Sequence, residues 1–349
     1  MLVRTTGPCA DQGLPGTPEP FPIFFAYAWS DDNGKTFEFD WEKPALAPAM
    51  KWEIDEMYIE DINGNKIPNY TNGCIEDPRL FFVEGECYCT AACRMFAPGP
   101  YWIHDESTQC APEWAKGDEN PFGTQINQTV TVMYKVDLKL LAKKDYKNAF
   151  KYVTNLTPVS NGEDRDVFLL RNKMKIDGED MYVMIHCPHH PDGYGLDENR
   201  PSIVTSAAPD MYSLADNAKR RIVLYAPTEW WQAEKVGGST PPLPLGNGEW
   251  LFNYHGKEDV VKGYAQSFMI LKEVENDFPK ITHICKEKWI VDEEPFEKPG
   301  RFKTPCVFFT GMIENGDELF VSYGAADEKV GIMRLDYKEL LSELRKCEI

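Results

Sequence analysis

Positive charge is scarce in this chain: 37 Lys and Arg stand against 56 Asp and Glu, a formal net charge of −19. Such a surface repels nucleic acid and anionic lipid over a Debye length, so neither is expected as a partner. A neutral small molecule is the natural ligand, and an anionic one would need a local group of basic side chains. Long apolar runs are lacking as well. The N-terminus, Met1 to Pro8, has no signal-type apolar region, and Phe21 to Trp29 is interrupted by Pro22 and too short to span a bilayer. A cytoplasmic, reduced protein is therefore expected. Paired cysteine motifs are missing too, although cysteines number ten. Cys87, Cys89 and Cys93 resemble a metal site at first glance, but no second pair with ligand spacing follows. Buried free thiols are the expectation there, with no metal and no cofactor.

What is present is a large apolar and aromatic content, 42% and 13%, in 349 residues, enough for an extensive core. Short β-type runs recur with turn signals between them: Phe24 to Trp29, Arg79 to Met95, Thr129 to Val136, Val167 to Cys187, Ile203 to Leu214, Trp250 to His255, Ala265 to Val274, Cys306 to Ile313 and Glu318 to Gly324. Helical periodicity is clear only in Tyr337 to Cys347. No Pro/Gly-rich linker divides the chain, so residues 1–349 are expected to form a single all-β domain of repeated four-stranded units. Residues 1–22 are its irregular start and 337–347 its C-terminal helix. Radially arranged sheets would make a β-propeller; a pair of β-sandwiches is the plainer alternative.

The most chemically suggestive stretch is Asn72 to Phe82, with Glu76-Asp77-Pro78-Arg79 at the mouth of a strand. Proline restricts the preceding residue, so Asp77 is expected to be extended, with Glu76 and Asp77 facing opposite sides. One of them could then serve chemistry while Arg79 or backbone donors hold the other. Taken alone, Glu-Asp-Pro-Arg reads more simply as a charged turn opening a hairpin, with Glu84 at its solvent-facing bend. A second stretch, Trp230 to Leu243, places Lys235 before Gly237-Gly238, and His255 follows on the next strand. A glycine-rich loop presenting backbone N–H groups beside a lysine and a histidine suits an oxyanion or a sugar hydroxyl. Singly, Lys235 reads as a surface residue and His255 as a core histidine.

The order of Glu76-Asp77-Pro78-Arg79, Arg165-Asp166-Val167-Phe168-Leu169, Trp231 to Pro242, Gly248 to Gly256 and Tyr323-Gly324-Ala325-Ala326-Asp327 resembles glycoside hydrolase family 130, the β-mannoside phosphorylases and related β-mannosidases. The resemblance runs from about Phe24 to Leu335. It implies a five-bladed β-propeller that binds an oligosaccharide. It further implies that Asp77 is the catalytic acid, relaying its proton through a mannosyl hydroxyl, and that inversion follows attack by inorganic phosphate, the co-substrate. Phosphate, already an anion, needs no enzymic base but must have its charge bound. The matching positions are Arg165, Lys235, His255 and Tyr264, with Glu76, Arg79, Asp166 and Asp327 on the sugar side.

The chain departs from the family pattern in three places. Cys187-Pro188 stands where the phosphorylases carry arginine-proline, Leu170-Arg171-Asn172-Lys173 replaces Phe-Pro-Glu-Lys, and irregular Gly7 to Pro22 replaces an opening strand. His186, His189 and His190 crowd the loop beside Cys187. Two alternatives stay open: an inverting β-mannosidase whose base is Glu163, Asp166 or Glu229, and a non-catalytic sugar-binding propeller using Trp102, Trp230 and Trp231. The irregular N-terminus and the Gly99 to Gly123 insertion could each cover a neighbouring copy, so a homo-oligomer is left open.

Overall fold

The computed structural model describes residues 1–6, 23–97, 111–115, 120–122, 129–157, 163–299 and 304–349. Most described elements are strands, and their arrangement is that of a five-bladed β-propeller, as expected for the class. By contact density the chain falls into two compact units, Met1–Pro78 with Glu86–Arg165, and Arg79–Gly85 with Asp166–Ile349.

The first unit contains a three-stranded sheet, Leu2–Thr6, Ile23–Trp29 and Glu38–Phe39, and a short ribbon, Tyr58–Glu60 with Lys66–Pro68. Its other sheet runs Cys74–Val83, Glu86–Arg94, Val130–Val136 and Phe150–Asn155, and the first of these strands enters the second unit after Pro78. Period-two alternation is visible in the core: Cys87, Cys89, Ala91 and Cys93 all point inward and pack with Val132 and Tyr134. These cysteines are therefore small apolar residues with free thiols, as the alternation predicts, and burial pushes the Cys87 thiol up to about 11.

In the second unit, one sheet holds Asp164–Leu169, Glu179–Pro188, Ile203–Ala208 and Arg220–Tyr225, with Met174–Ile176 paired to Glu179–Pro188. The next holds Lys235–Gly238, Glu249–Lys257, Tyr264–Val274 and Asp277–Ile284, with Leu243–Gly246 alongside, and the last is Val307–Asn315, Glu318–Ala325 and Lys329–Asp336. Leu251, Phe268, Ile270 and Val321 belong to one of its hydrophobic cores. The C-terminal helix Tyr337–Leu344 is capped by Asp336, which accepts from Glu339 N, and it seals the core with Leu340 and Leu344.

Four expectations change. Leu2–Thr6 is a strand in five-residue register with Ile23–Trp29, so the opening is regular over those residues; Gly7 to Pro22 lie outside the described residues. Two helical turns, Leu138–Ala142 and Tyr146–Ala149, escape a search for periodicity because each is too short to show one; Asp137 caps the first through Lys139 N and Leu140 N. After Asn33-Gly34, an Asn-Gly signal that predicts a turn and a second strand up to Phe39, only Glu38–Phe39 is strand, because Asp32 gathers Lys35 N, Thr36 N and Thr36 Oγ1 into a side-chain turn. Lastly, Asp77 is not extended but left-handed, with φ +53°.

Candidate active site

Asp77 lies inside a strand rather than before one, since pairing begins at Cys74. Its positive φ is a backbone state that aspartate tolerates better than most residues, at a cost of about 1–3 kcal/mol. The strand's two-residue alternation is broken at this point, so Glu76 and Asp77 meet the same cation instead of facing apart. Arg4 Nη1 donates to Asp77 Oδ1 at 3.0 Å and lies 3.5 Å from Glu76 Oε2. Arg165 Nη1 approaches Asp77 Oδ2 at 3.9 Å, and Arg94 Nη2 approaches Glu76 Oε1 at 3.7 Å. Thr129 ties the group together: its hydroxyl accepts from Arg165 Nη2 at 3.0 Å and Arg94 Nε at 3.3 Å, and donates to Glu163 Oε1 at 2.9 Å. Glu163 Oε1 also accepts from Arg165 Nη2 at 3.2 Å. Burial opposes the Arg165 charge, but Glu163, Glu76 and Asp77 outweigh it and push the guanidinium pKa up. This first-unit cluster thus pairs three guanidinium groups with three carboxylates, and Asp77 remains half-buried at its edge.

A second cluster belongs to the second unit and is buried more deeply. Arg79, 2% exposed, donates from Nη2 to Asp166 Oδ1 at 2.5 Å and from Nε to Ser239 O at 3.0 Å, and its guanidinium lies 5.7 Å from the centre of the Phe308 ring. Removing either member alone would leave a buried charge uncompensated, so these two residues hold the backbone here before they hold any ligand. Asp166 is left-handed like Asp77, with φ +58°, and each lies within the first three or four residues of the first strand of its sheet.

His255 is fully buried next to this pair, its Nε2 3.7 Å from Asp166 Oδ2. Gln266 Nε2 donates to Val307 O, which turns its Oε1 towards the Ser239 hydroxyl; that hydroxyl donates to it at 2.7 Å. Ser239 Oγ then accepts from His255 Nδ1 at 3.0 Å, which assigns the proton to Nδ1 and leaves Nε2 bare. Burial first, and then Lys235 and Arg79, pulls the imidazole down to about 3 against the opposing pull of Asp166, so it is neutral near pH 7. Lys235 is buried with its ammonium 5.4 Å from the Tyr264 ring centre, and Lys257 reaches the same ring at 5.8 Å.

The glycine-rich segment is not a loop. Lys235–Gly238 is a strand paired with Glu249–Lys257, in register Gly237 to His255, so part of its N–H complement is spent on the ladder. Glycine is needed at 237 because a Cβ there would sit 2.7 Å from His255 Nε2 and 2.9 Å from Asp166 Oδ2. Asp327 is exposed in the Ala326-Asp327 turn, where both residues have positive φ. Cys187 is fully buried with its thiol on Val236 O at 3.1 Å, a packing position that does not act as a substitute for an arginine. Of the nearby histidines, His186 is buried on Ser206 Oγ at 2.8 Å, whereas His190 is exposed.

The proposed stacking residues separate. Trp231 is 2% exposed with its indole N–H on Lys286 O, so it is core; Trp230 is 63% exposed between Lys262 and Lys288; Trp102 lies outside the described residues. Sequence reading missed Arg4, Arg94, Ser239 and Gln266. Only the apolar and β-branched flanks of Arg4, Leu2-Val3 and Thr5-Thr6, mark it as a strand residue, and nothing in the sequence identifies its partner.

With this geometry in hand, comparison with known proteins gives a consistent relationship. Residues 121–346 match the glycoside hydrolase family 130 profile, described as beta-1,4-mannooligosaccharide phosphorylase. A beta-1,2-mannobiose phosphorylase of Listeria innocua is 28% identical over 86% of this chain and 82% of its own length. The structure of the Listeria innocua beta-1,2-mannobiose phosphorylase in complex with beta-1,2-mannobiose superposes with a TM-score of 0.60 at 19% identity, over 93% of this chain and 70% of that one. A structure reported in work on family 130 hydrolases that target beta-1,2 mannosidic linkages in Candida mannan gives 0.57 at 15% identity, over 97% and 80%. The profile match covers more than half of the chain, and the chain belongs to glycoside hydrolase family 130.

Proposed function

We propose that this protein is an inverting phosphorylase that cleaves a β-1,2-linked mannoside with inorganic phosphate to release mannose 1-phosphate. Asp77 is the acid, Arg165 takes phosphate charge, and Lys235, Tyr264 and His255 are the remaining phosphate-binding candidates; Glu76, Arg79, Asp166 and Asp327 serve the sugar. The β-1,2 linkage is supported by the relative that matches along most of both chains.

The observation that carries phosphorolysis over hydrolysis is the engagement of each carboxylate suggested as a hydrolytic base. Glu163 is bonded to Arg165 and Thr129, and Asp166 is buried on Arg79. Glu229 caps Trp230–Gln232 in a reciprocal capping box. An inverting hydrolase needs a carboxylate presented to water across the sugar from the acid. Phosphate needs cations instead, and Arg165 is a half-buried guanidinium whose Nη1 lies beside the partly exposed Asp77. No cofactor is needed in this scheme.

Two variants test it. Asp77→Asn should lower kcat by about 10²–10⁴, the usual range for losing a general acid. Arg165→Ala should raise the KM for phosphate at least about tenfold, the equivalent of one charge-assisted hydrogen bond. Full turnover by Asp77→Asn would refute the acid, and an unchanged phosphate response would remove Arg165 from the site.

A further inference from the structure

Arg4 has no place in the roles assigned above, yet it donates to Asp77 Oδ1 at 3.0 Å, closer than Arg165 at 3.9 Å. Its strand is firmly held: Leu2 and Val3 are buried, and Arg4 lies opposite Phe25 in an unbroken five-residue register with Ile23–Trp29. From there the guanidinium meets two adjacent carboxylates, Asp77 Oδ1 at 3.0 Å and Glu76 Oε2 at 3.5 Å. Glu76 is approached at its other oxygen by Arg94 at 3.7 Å, and Asp77 at its other oxygen by Arg165 at 3.9 Å, both too far for a hydrogen bond.

Asp77 has particular need of such a partner. Its left-handed backbone breaks the alternation that normally aims a strand side chain, so local geometry alone does not fix where the carboxyl points. A proton donor misplaced by about 1 Å can lose on the order of a hundredfold in rate. We propose that Arg4 is a positioning residue for Asp77, a clamp from the first sheet that sets the acid's orientation for proton donation while binding little of the substrate itself. This rests on Asp77 being the acid.

The test is a double-mutant cycle on the full chain, with β-1,2-mannobiose and saturating phosphate. Arg4→Met should lower kcat about tenfold or more with the KM for mannobiose nearly unchanged, because the loss falls on the step that uses the acid. Arg4→Lys, which keeps the charge on a shorter side chain without the planar guanidinium, should recover part of that loss. In an Asp77→Asn background Arg4→Met should have little further effect, since the group through which Arg4 acts is already gone. Should Arg4→Met fail to fold, Arg4→Lys alone decides: a lower kcat at an unchanged melting temperature supports the clamp, and an unchanged kcat overturns it. Wild-type kcat in Arg4→Met, or equal losses with and without Asp77, would also overturn it. Full turnover by Asp77→Asn would instead refute the acid assignment, a result distinct from failure of the clamp.

Discussion

At the scale of single residues, the site is a set of charges whose neighbours decide what each can do. Asp77 and Asp166 share a rare backbone state but have different surroundings: one is half-buried beside Arg4 and Arg165, the other is enclosed with Arg79. The first arrangement leaves the carboxyl partly exposed, and the second holds it in a buried ion pair that also braces the backbone. His255 follows the same logic, because burial removes its charge and the Gln266 and Ser239 chain fixes its proton. Its low pKa also bears on stability. The unfolded chain takes up a proton at this histidine near pH 6.5, while the folded protein holds off until about 3. The unfolded state therefore binds more protons across that window, and folding is progressively weakened as pH falls through it. Urea-unfolding midpoints from pH 7 down through that window should decline less steeply for His255→Gln than for the wild type; identical slopes would show that His255 does not resist protonation.

At the scale of elements, period-two alternation carried most of what could be read from the sequence, and breaks in it account for what could not. Cys87, Cys89 and Cys93 are identifiable as inward-facing thiols because their spacing matches a strand, and the C-terminal helix because Leu340 and Leu344 sit four apart. The order of motifs likewise gave the family and its propeller. By contrast, no rule of spacing signals that Asp77 turns left-handed before a proline, and a partner 73 residues away, Arg4, leaves no local trace. The Gly237-Gly238 stretch was read as a loop because glycines punctuate chains, yet here they allow two strands and a histidine to close together. Gly237→Ala should accordingly destabilise the protein by about 1–3 kcal/mol through overpacking against His255 and Asp166. A shift of the urea midpoint at constant m would show this, whereas an unchanged midpoint would mean that His255 can move aside freely.

At the scale of the whole molecule, a chain of net charge −19 that is proposed to use an anionic co-substrate must offer its cations locally. The first unit gathers Arg4, Arg94 and Arg165 among three carboxylates, and the second gathers Arg79, Lys235 and Lys257 around Asp166 and Tyr264. Cys187, where an arginine is usual in the family, is packed away, so the proposed phosphorolysis would rely on the cations that remain. The decisive measurement is the product released from β-1,2-mannobiose with and without inorganic phosphate. Mannose 1-phosphate appearing only with phosphate is the predicted result, and free mannose formed at the same rate without phosphate would contradict it.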